Sequence, residues 1–291
     1  MTVCIAAICQ GPFGPVVLAA SDRMVTVEDI EFEPPMPKVW QLSHTIGMLI
    51  AGQSGPQAEL FDRISHQQPK TVQEAIQLYC SELGNLNRRN AERDILAPLG
   101  LTMKSFLIRQ REMAPEFVEQ LRVEIDKNRA NVQTIICGID KRGAQLYTID
   151  AYGKATCNNV VGFAAIGAGR WHAESQFMFA EYTPIWPLSK ALLLLYVAKK
   201  RAEVAPGVGE ATDYISIAAD FVRIDPNDPI HRAVEIGRDR IIEIQDSAIN
   251  EEFAKVDSFV NEFMAQARQQ TASTQLPPTT PQQPKRKKPK T

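Results

Sequence analysis

Four residues near the start of the chain have types that together can carry nucleophilic chemistry: Thr2, Asp22, Lys38 and Gly52. A threonine hydroxyl attacks a carbonyl only when a base takes its proton. Thr2 becomes the first residue once Met1 is removed. Its α-amino group then titrates near pH ~8 and is partly neutral at physiological pH, so the residue carries its own base. A lysine ammonium beside the hydroxyl lowers the cost of forming the alkoxide. An aspartate paired with that lysine fixes its position and keeps it charged. A glycine N–H at a strand end can donate to the oxyanion of a tetrahedral intermediate, where a side chain would obstruct the approach. Taken singly each has a plain reading: a common residue at position 2, a turn aspartate, an exposed lysine after Pro37, a glycine ending a strand. The inference rests on all four in one register, with strand patterns around them.

The elements that must bring them together read as hairpins. Residues 3–9 (Val-Cys-Ile-Ala-Ala-Ile-Cys) and 16–20 (Val-Val-Leu-Ala-Ala) are apolar almost throughout. That is the pattern of a sheet buried on both faces. A Gly/Pro loop, Gln10-Gly-Pro-Phe-Gly-Pro15, joins them. Residues 24–36 hold an acidic excursion read as a strand with a loop, and 39–43 and 46–51 make a second hairpin. Asp22 and Lys38 lie sixteen residues apart and Lys38 and Gly52 fourteen, so only folding can make them neighbours.

These stretches resemble the β-subunits of the proteasome core particle and their bacterial relatives, within the N-terminal nucleophile hydrolases. The resemblance is carried by Thr2-Val-Cys-Ile, Val16-Val-Leu-Ala-Ala-Ser-Asp22-Arg, Lys38-Val-Trp-Gln-Leu and Ile46-Gly-Met-Leu-Ile-Ala-Gly52. It resumes at Ile135-Ile-Cys-Gly-Ile-Asp140 and Ala165-Ile-Gly-Ala-Gly169. It covers most of residues 2–221, with an insertion at about 88–130. The resemblance implies an α+β fold, a four-layer αββα sandwich. It also implies a threonine-type endopeptidase with Thr2 as nucleophile, its amine as base, Asp22 and Lys38 as partners and the Gly52 amide as oxyanion donor. In that register Val25, Thr26, Met36 and Ile50 fall at the pocket for the side chain before the scissile bond. The substrate is then a peptide or unfolded protein, the assembly a homo-oligomeric ring, and an ATP-dependent unfoldase a possible partner. No cofactor or metal is implied.

Two departures touch the support of the amine. Where the family holds a serine between two glycines, this chain has Ala168, between Gly167 and Gly169. Where many active subunits have Asp-x-x-Ser-Gly, this chain has Glu203-Val-Ala-Pro206-Gly207. No longer propeptide is expected before Thr2. The competing readings are a non-catalytic structural subunit of the same fold and an N-terminal nucleophile amidase.

Composition narrows the setting. A net charge of −2 over 291 residues exerts no overall pull on nucleic acid or an anionic membrane. Five cysteines without a Cys-x-x-Cys pair argue against a disulfide framework and a zinc site. The strongest apolar run, 191–198, is far too short to span a bilayer. With no signal-peptide pattern, the expectation is a cytoplasmic protein.

Further along, 55–66 reads as a helix, and Thr71-Val-Gln-Glu74 is a capping-box pattern opening another. The insertion is expected to hold at least one amphipathic helix, with Phe117, Leu121 and Ile125 at helical spacing. Strands are expected at 132–140, 144–149, 162–166 and 213–221, and helices from about Arg170 and over 187–204. The domain is set at 2–225. Residues 226–268 form a mainly helical C-terminal extension. From Gln269 the Thr/Gln/Pro-rich chain, ending Pro284-Lys-Arg-Lys-Lys-Pro-Lys-Thr291, is expected to be disordered.

Overall fold

The computed structural model describes residues 2–27, 30–34, 37–225 and 227–273. The chain is α+β, and all its sheets are antiparallel. The strands are β1 (Val3–Gly11), β2 (Gly14–Asp22), β3 (Val25–Val27), β4 (Ile30–Phe32), β5 (Val39–Ser43), β6 (Ile46–Gly52), β7 (Val132–Asp140), β8 (Gly143–Ile149), β9 (Ala155–Cys157), β10 (Phe163–Gly167), β11 (Thr212–Ile217) and β12 (Phe221–Ile224). The helices are α1 (Ser54–Ser65), α2 (Val72–Ala91), α3 (Met103–Arg109), α4 (Pro115–Lys127), α5 (Arg170–Phe179), α6 (Leu188–Ala202) and α7 (Pro229–Ser273). One five-stranded sheet has the order β10-β1-β2-β11-β12, and a second has the order β5-β6-β7-β8-β9.

The apolar strands are explained by what covers them. On β1, Val3, Ile5, Ala7 and Cys9 share a cluster with Ala191, Leu195 and Ala198 of α6. The alternate residues Cys4, Ala6 and Ile8 pack with Leu49, Ile135 and Cys137 of the other sheet. On β6, Ile46, Met48 and Ile50 cluster instead with Leu60 and Ile64 of α1 and Ile76 and Tyr79 of α2. Successive side chains of a strand point to opposite faces, so a strand covered on both must be apolar at every position.

Several elements differ from the sequence expectation. The first hairpin has two nine-residue strands closed at Gly11–Gly14. Most of the Gly/Pro stretch 10–15 read as a loop belongs to these strands, leaving Pro12 and Phe13 as the turn. β9 and β12 are short additions at sheet edges, and the stretch expected as one strand over 213–221 turns at 218–220 into β12. The Thr71 side chain caps α2 by accepting from the Glu74 N–H. The Glu74 carboxylate returns to the Lys70 N–H, however, so the reciprocal half of the box is shifted by one residue. α2 runs on to Ala91. The insertion then holds two helices, α3 and α4, with a small core of Leu96, Leu101, Phe106 and Leu121.

The chain divides into two units, Met1–Arg238 and Asp239–Thr291. The first extends past residue 225 because the opening turns of α7 belong to it: Val234 is buried in the α6 cluster and His231 meets Tyr196 edge-on. In the second unit the helix continues to Ser273, past the expected boundary at residue 268. The rest of the Pro/Gln/Lys tail lies outside the described residues. Among the described residues no helix is long and apolar enough to cross a membrane.

Candidate active site

The first hairpin decides where Thr2 meets Asp22. Cys4 faces Ser21 and Gly11 faces Gly14, so each step toward the N-terminus moves the partner one step on, bringing residues 2 and 3 beside Asp22. The Asp22 carboxylate is fully buried and heavily bonded. Its Oδ1 accepts from the Val3 N–H at 2.9 Å and from the Thr2 hydroxyl. Its Oδ2 accepts from the N–H groups of Met24 at 2.9 Å and Gly209 at 3.2 Å. A carboxylate removed from water needs partners of this number and kind.

Lys38 enters from the residue before β5. Its Nζ donates to both Asp22 oxygens at 3.1 Å, to the Thr2 Oγ1 and to the Met24 carbonyl. Thr2, Asp22 and Lys38 are all buried, and the Thr2 hydroxyl lies between the ammonium and the carboxylate. Lys38 is thus confined by its acceptors and adjoins the hydroxyl oxygen, where a developing negative charge would gain most from it.

These groups open on a cavity of about 630 Å³ lined by Thr2, Met24, Val25, Thr26, Lys38, Gly52, Gln53, Ser54, Gln57 and Asn131 among others. Val25 and Thr26 therefore line it. Ile50 does not: it is buried among the side chains of α1 and α2, on the far face of β6. Met36 lies outside the described residues. Gly52 ends β6 with φ +119°, and a Cβ there would sit 2.0 Å from the Asn131 carbonyl oxygen. Only glycine fits that backbone and that approach. A slightly larger hollow of about 690 Å³ lies between α2 and the inserted helices. It has no hydroxyl set between a cation and a carboxylate. Its thiol, Cys80, donates to the Gly153 carbonyl, and burial raises its pKa.

The turn after β10 holds the backbone of Thr2. The Gly169 N–H donates to the Thr2 carbonyl at 3.3 Å. Gly167 has φ +88°, and a Cβ on it would sit 2.3 Å from that same oxygen. Ala168 is exposed between them. Glu203 does not reach Thr2; its carboxylate pairs with Lys199 at 2.5 Å and Lys200 at 3.0 Å. Cys4, beside the site, is no competing nucleophile: burial drives its pKa far up, opposed by Lys38.

Several contributors were not visible in the sequence reading. The Gly209 N–H and the Met24 carbonyl are backbone groups, which residue types do not reveal. Gln133 accepts from the Gly167 N–H at 3.0 Å, on the turn that holds Thr2. Lys199 does carry a signal in the sequence, a lysine at the helical spacing of the buried residues Leu192, Leu195 and Ala202. Among the described residues no cluster of His, Cys, Asp and Glu suits a metal ion. No protein-family model matches this sequence, and no curated protein matches it.

Proposed function

We propose that this chain is an N-terminal nucleophile hydrolase of the proteasome β type, a four-layer αββα sandwich that cuts peptide bonds with the Thr2 hydroxyl once Met1 is removed. The observation that carries the reading is the Thr2 Oγ1 held between the buried Asp22 carboxylate and the Lys38 ammonium at the wall of a cavity. In the reaction the freed α-amine of Thr2 takes the hydroxyl proton as Oγ1 attacks the scissile carbonyl. Lys38 stabilises the alkoxide, and the Gly52 N–H serves the oxyanion of the tetrahedral intermediate. The intermediate collapses to an ester on Thr2, and the proton passes from the ammonium to the departing peptide amine. Water, deprotonated by the same amine, then attacks the ester and releases the acid. Gln53, Gln57 and Asn131 offer amide groups to a peptide backbone, while Met24 and Val25 favour an apolar side chain before the cut. The substrate class is peptide or unfolded protein. The working form is a homo-oligomeric ring in the cytoplasm.

The test is hydrolysis of a fluorogenic peptide panel by the processed chain. Thr2→Ala is expected to abolish turnover and leave assembly intact. Lys38→Ala is expected to lower kcat by about 10²–10³-fold, as for other losses of a preorganised charge. Asp22→Asn lowers it as well, by loosening Lys38. Full activity in Thr2→Ala would sink the proposal. Preference for an acidic or basic residue before the cut would contradict the pocket assignment, and a monomer on sedimentation would remove the ring.

A further inference from the structure

One buried cation stands a single residue away from Asp22 without facing the cavity. Lys199 lies on the inner face of α6, and its side chain is wholly inaccessible. Removed from water, an ammonium must find acceptors for its three protons. Lys199 donates to Glu203 Oε1 at 2.5 Å, to the Gly209 carbonyl at 2.7 Å and to the Glu210 carbonyl at 2.8 Å. Burial pushes its pKa down, and the Glu203 hydrogen bond pulls it back.

An ion pair alone would need only Glu203. Here two of the three bonds go to consecutive carbonyls of the segment that leads into β11. The residue that receives the first of them, Gly209, also gives its N–H to Asp22 Oδ2. The same segment is held from the other side, where Ala211 donates its N–H to the Glu33 carboxylate at 3.1 Å. A Cβ on Gly209 would lie 1.7 Å from Glu33 Oε1 and 3.1 Å from the Met24 Cβ, so Glu33 would have to swing away to admit one.

We propose that Lys199 is a positioning residue for the site. By holding the Gly209 and Glu210 carbonyls it keeps the Gly209 N–H against Asp22 Oδ2, and so fixes how Oδ1 faces Thr2 and Lys38. This inference rests on the hydrolase reading. Without the ammonium, the two carbonyls must turn toward water, and the Gly209 N–H is released from Asp22. The carboxylate keeps its Val3, Met24 and Lys38 donors but loses one N–H on Oδ2, so it shifts, and the Thr2 hydroxyl bonded to it shifts as well. Substrate contacts in the cavity are untouched, so the loss falls on kcat and not on KM.

The experiment compares the wild type with Lys199→Met, each lacking Met1, by peptide hydrolysis and by amide hydrogen exchange. Lys199→Met is expected to speed exchange across residues 209–211. It should lower kcat by about 10–100-fold, the range set by small misplacements of reacting groups, with KM held within about twofold. Lys199→Gln, whose amide keeps two N–H donors without the charge, serves if the methionine variant does not fold, and its kcat should fall between the two. Leu195→Ala removes a buried side chain of the same helix that makes none of the bonds to residues 209 and 210, and should leave kcat within about twofold. Wild-type exchange or wild-type kcat in both Lys199 variants would overturn the proposal. So would a loss confined to KM, or an equal kcat loss in Leu195→Ala. With an active wild type, those results overturn the role of Lys199 alone. A wild type that neither turns over peptide nor is modified at Thr2 overturns the hydrolase reading, and this inference with it.

Discussion

The same change of glycine to alanine is expected to have opposite signs at Gly52 and Gly84. At Gly52 the backbone has φ +119°, outside the regions an L-residue occupies at ease, and the new Cβ would sit 2.0 Å from the Asn131 carbonyl oxygen. Ordinary C···O contacts begin near ~3.3 Å, so the start of β7 or the end of β6 must move by about 1 Å. Backbone strain contributes about 1–3 kcal/mol. Overpacking against a sheet backbone contributes about 1–3 kcal/mol more. Gly52→Ala is therefore expected to destabilise by about 2–6 kcal/mol. At roughly 2–4 °C per kcal/mol for a unit of this size, the Tm falls by about 4–24 °C. Gly84 lies inside α2 with nothing within 4 Å of its would-be Cβ. Gly84→Ala should stabilise by about 0.5–1 kcal/mol through helix propensity alone. Thermal and denaturant unfolding of the two variants beside the wild type reads both. Stability of Gly52→Ala within about 0.5 kcal/mol of wild type would refute the close approach of Gly52 to Asn131.

Two further outcomes follow from buried groups. Thr134 donates its hydroxyl to the Tyr79 oxygen at 2.5 Å in the core beneath α2. Tyr79→Phe leaves that hydroxyl without this acceptor and is expected to cost about 1–3 kcal/mol. Tyr79→Phe with Thr134→Val should lose less than the sum of the two single changes, and additivity in denaturant melts would contradict the bond. For the thiols, alkylation needs the thiolate, so a raised pKa slows it. Burial drives Cys4 far up and pushes Cys9 and Cys137 up to about 12. At pH 8 in the native state, mass mapping should find exposed Cys157 alkylated and these three protected, with all five labelled once the chain unfolds. Cys4 labelling as fast as Cys157 would mean the first sheet is not buried on both faces.

The sequence was most readable where one physical demand fixed the residue. Strands covered on both faces had to be apolar at every position, so β1, β2, β6 and β7 stood out. Glycine was needed at Gly52 and Gly167 because a Cβ would strike a backbone carbonyl at each. Thr2, Asp22 and Lys38 were legible because the groups that meet there are side chains, which residue type names. Ile50 was misplaced because strand residues alternate faces, and a register alone does not say which face meets the cavity. β9 and β12 escaped because short edge strands carry little apolar signal. The bonds of Gly209 and the Met24 carbonyl escaped because backbone groups are the same at every residue. Lys199 escaped because a lysine near a helix end reads as solvated until its acceptors are known.

In the proposed mechanism one residue, Thr2, supplies both the attacking oxygen and its base. A peptide epoxyketone tests this most directly, because its ring closure consumes the hydroxyl and the α-amine of the same threonine. The measurement is the intact mass of the chain after incubation with that inhibitor, with the modified residue mapped by fragmentation. One adduct on Thr2 is expected in the chain that has lost Met1, with none in Thr2→Ala and none in chain that retains Met1. An adduct that persists in Thr2→Ala, or a processed wild type that stays unmodified and inactive on every peptide, would overturn that mechanism.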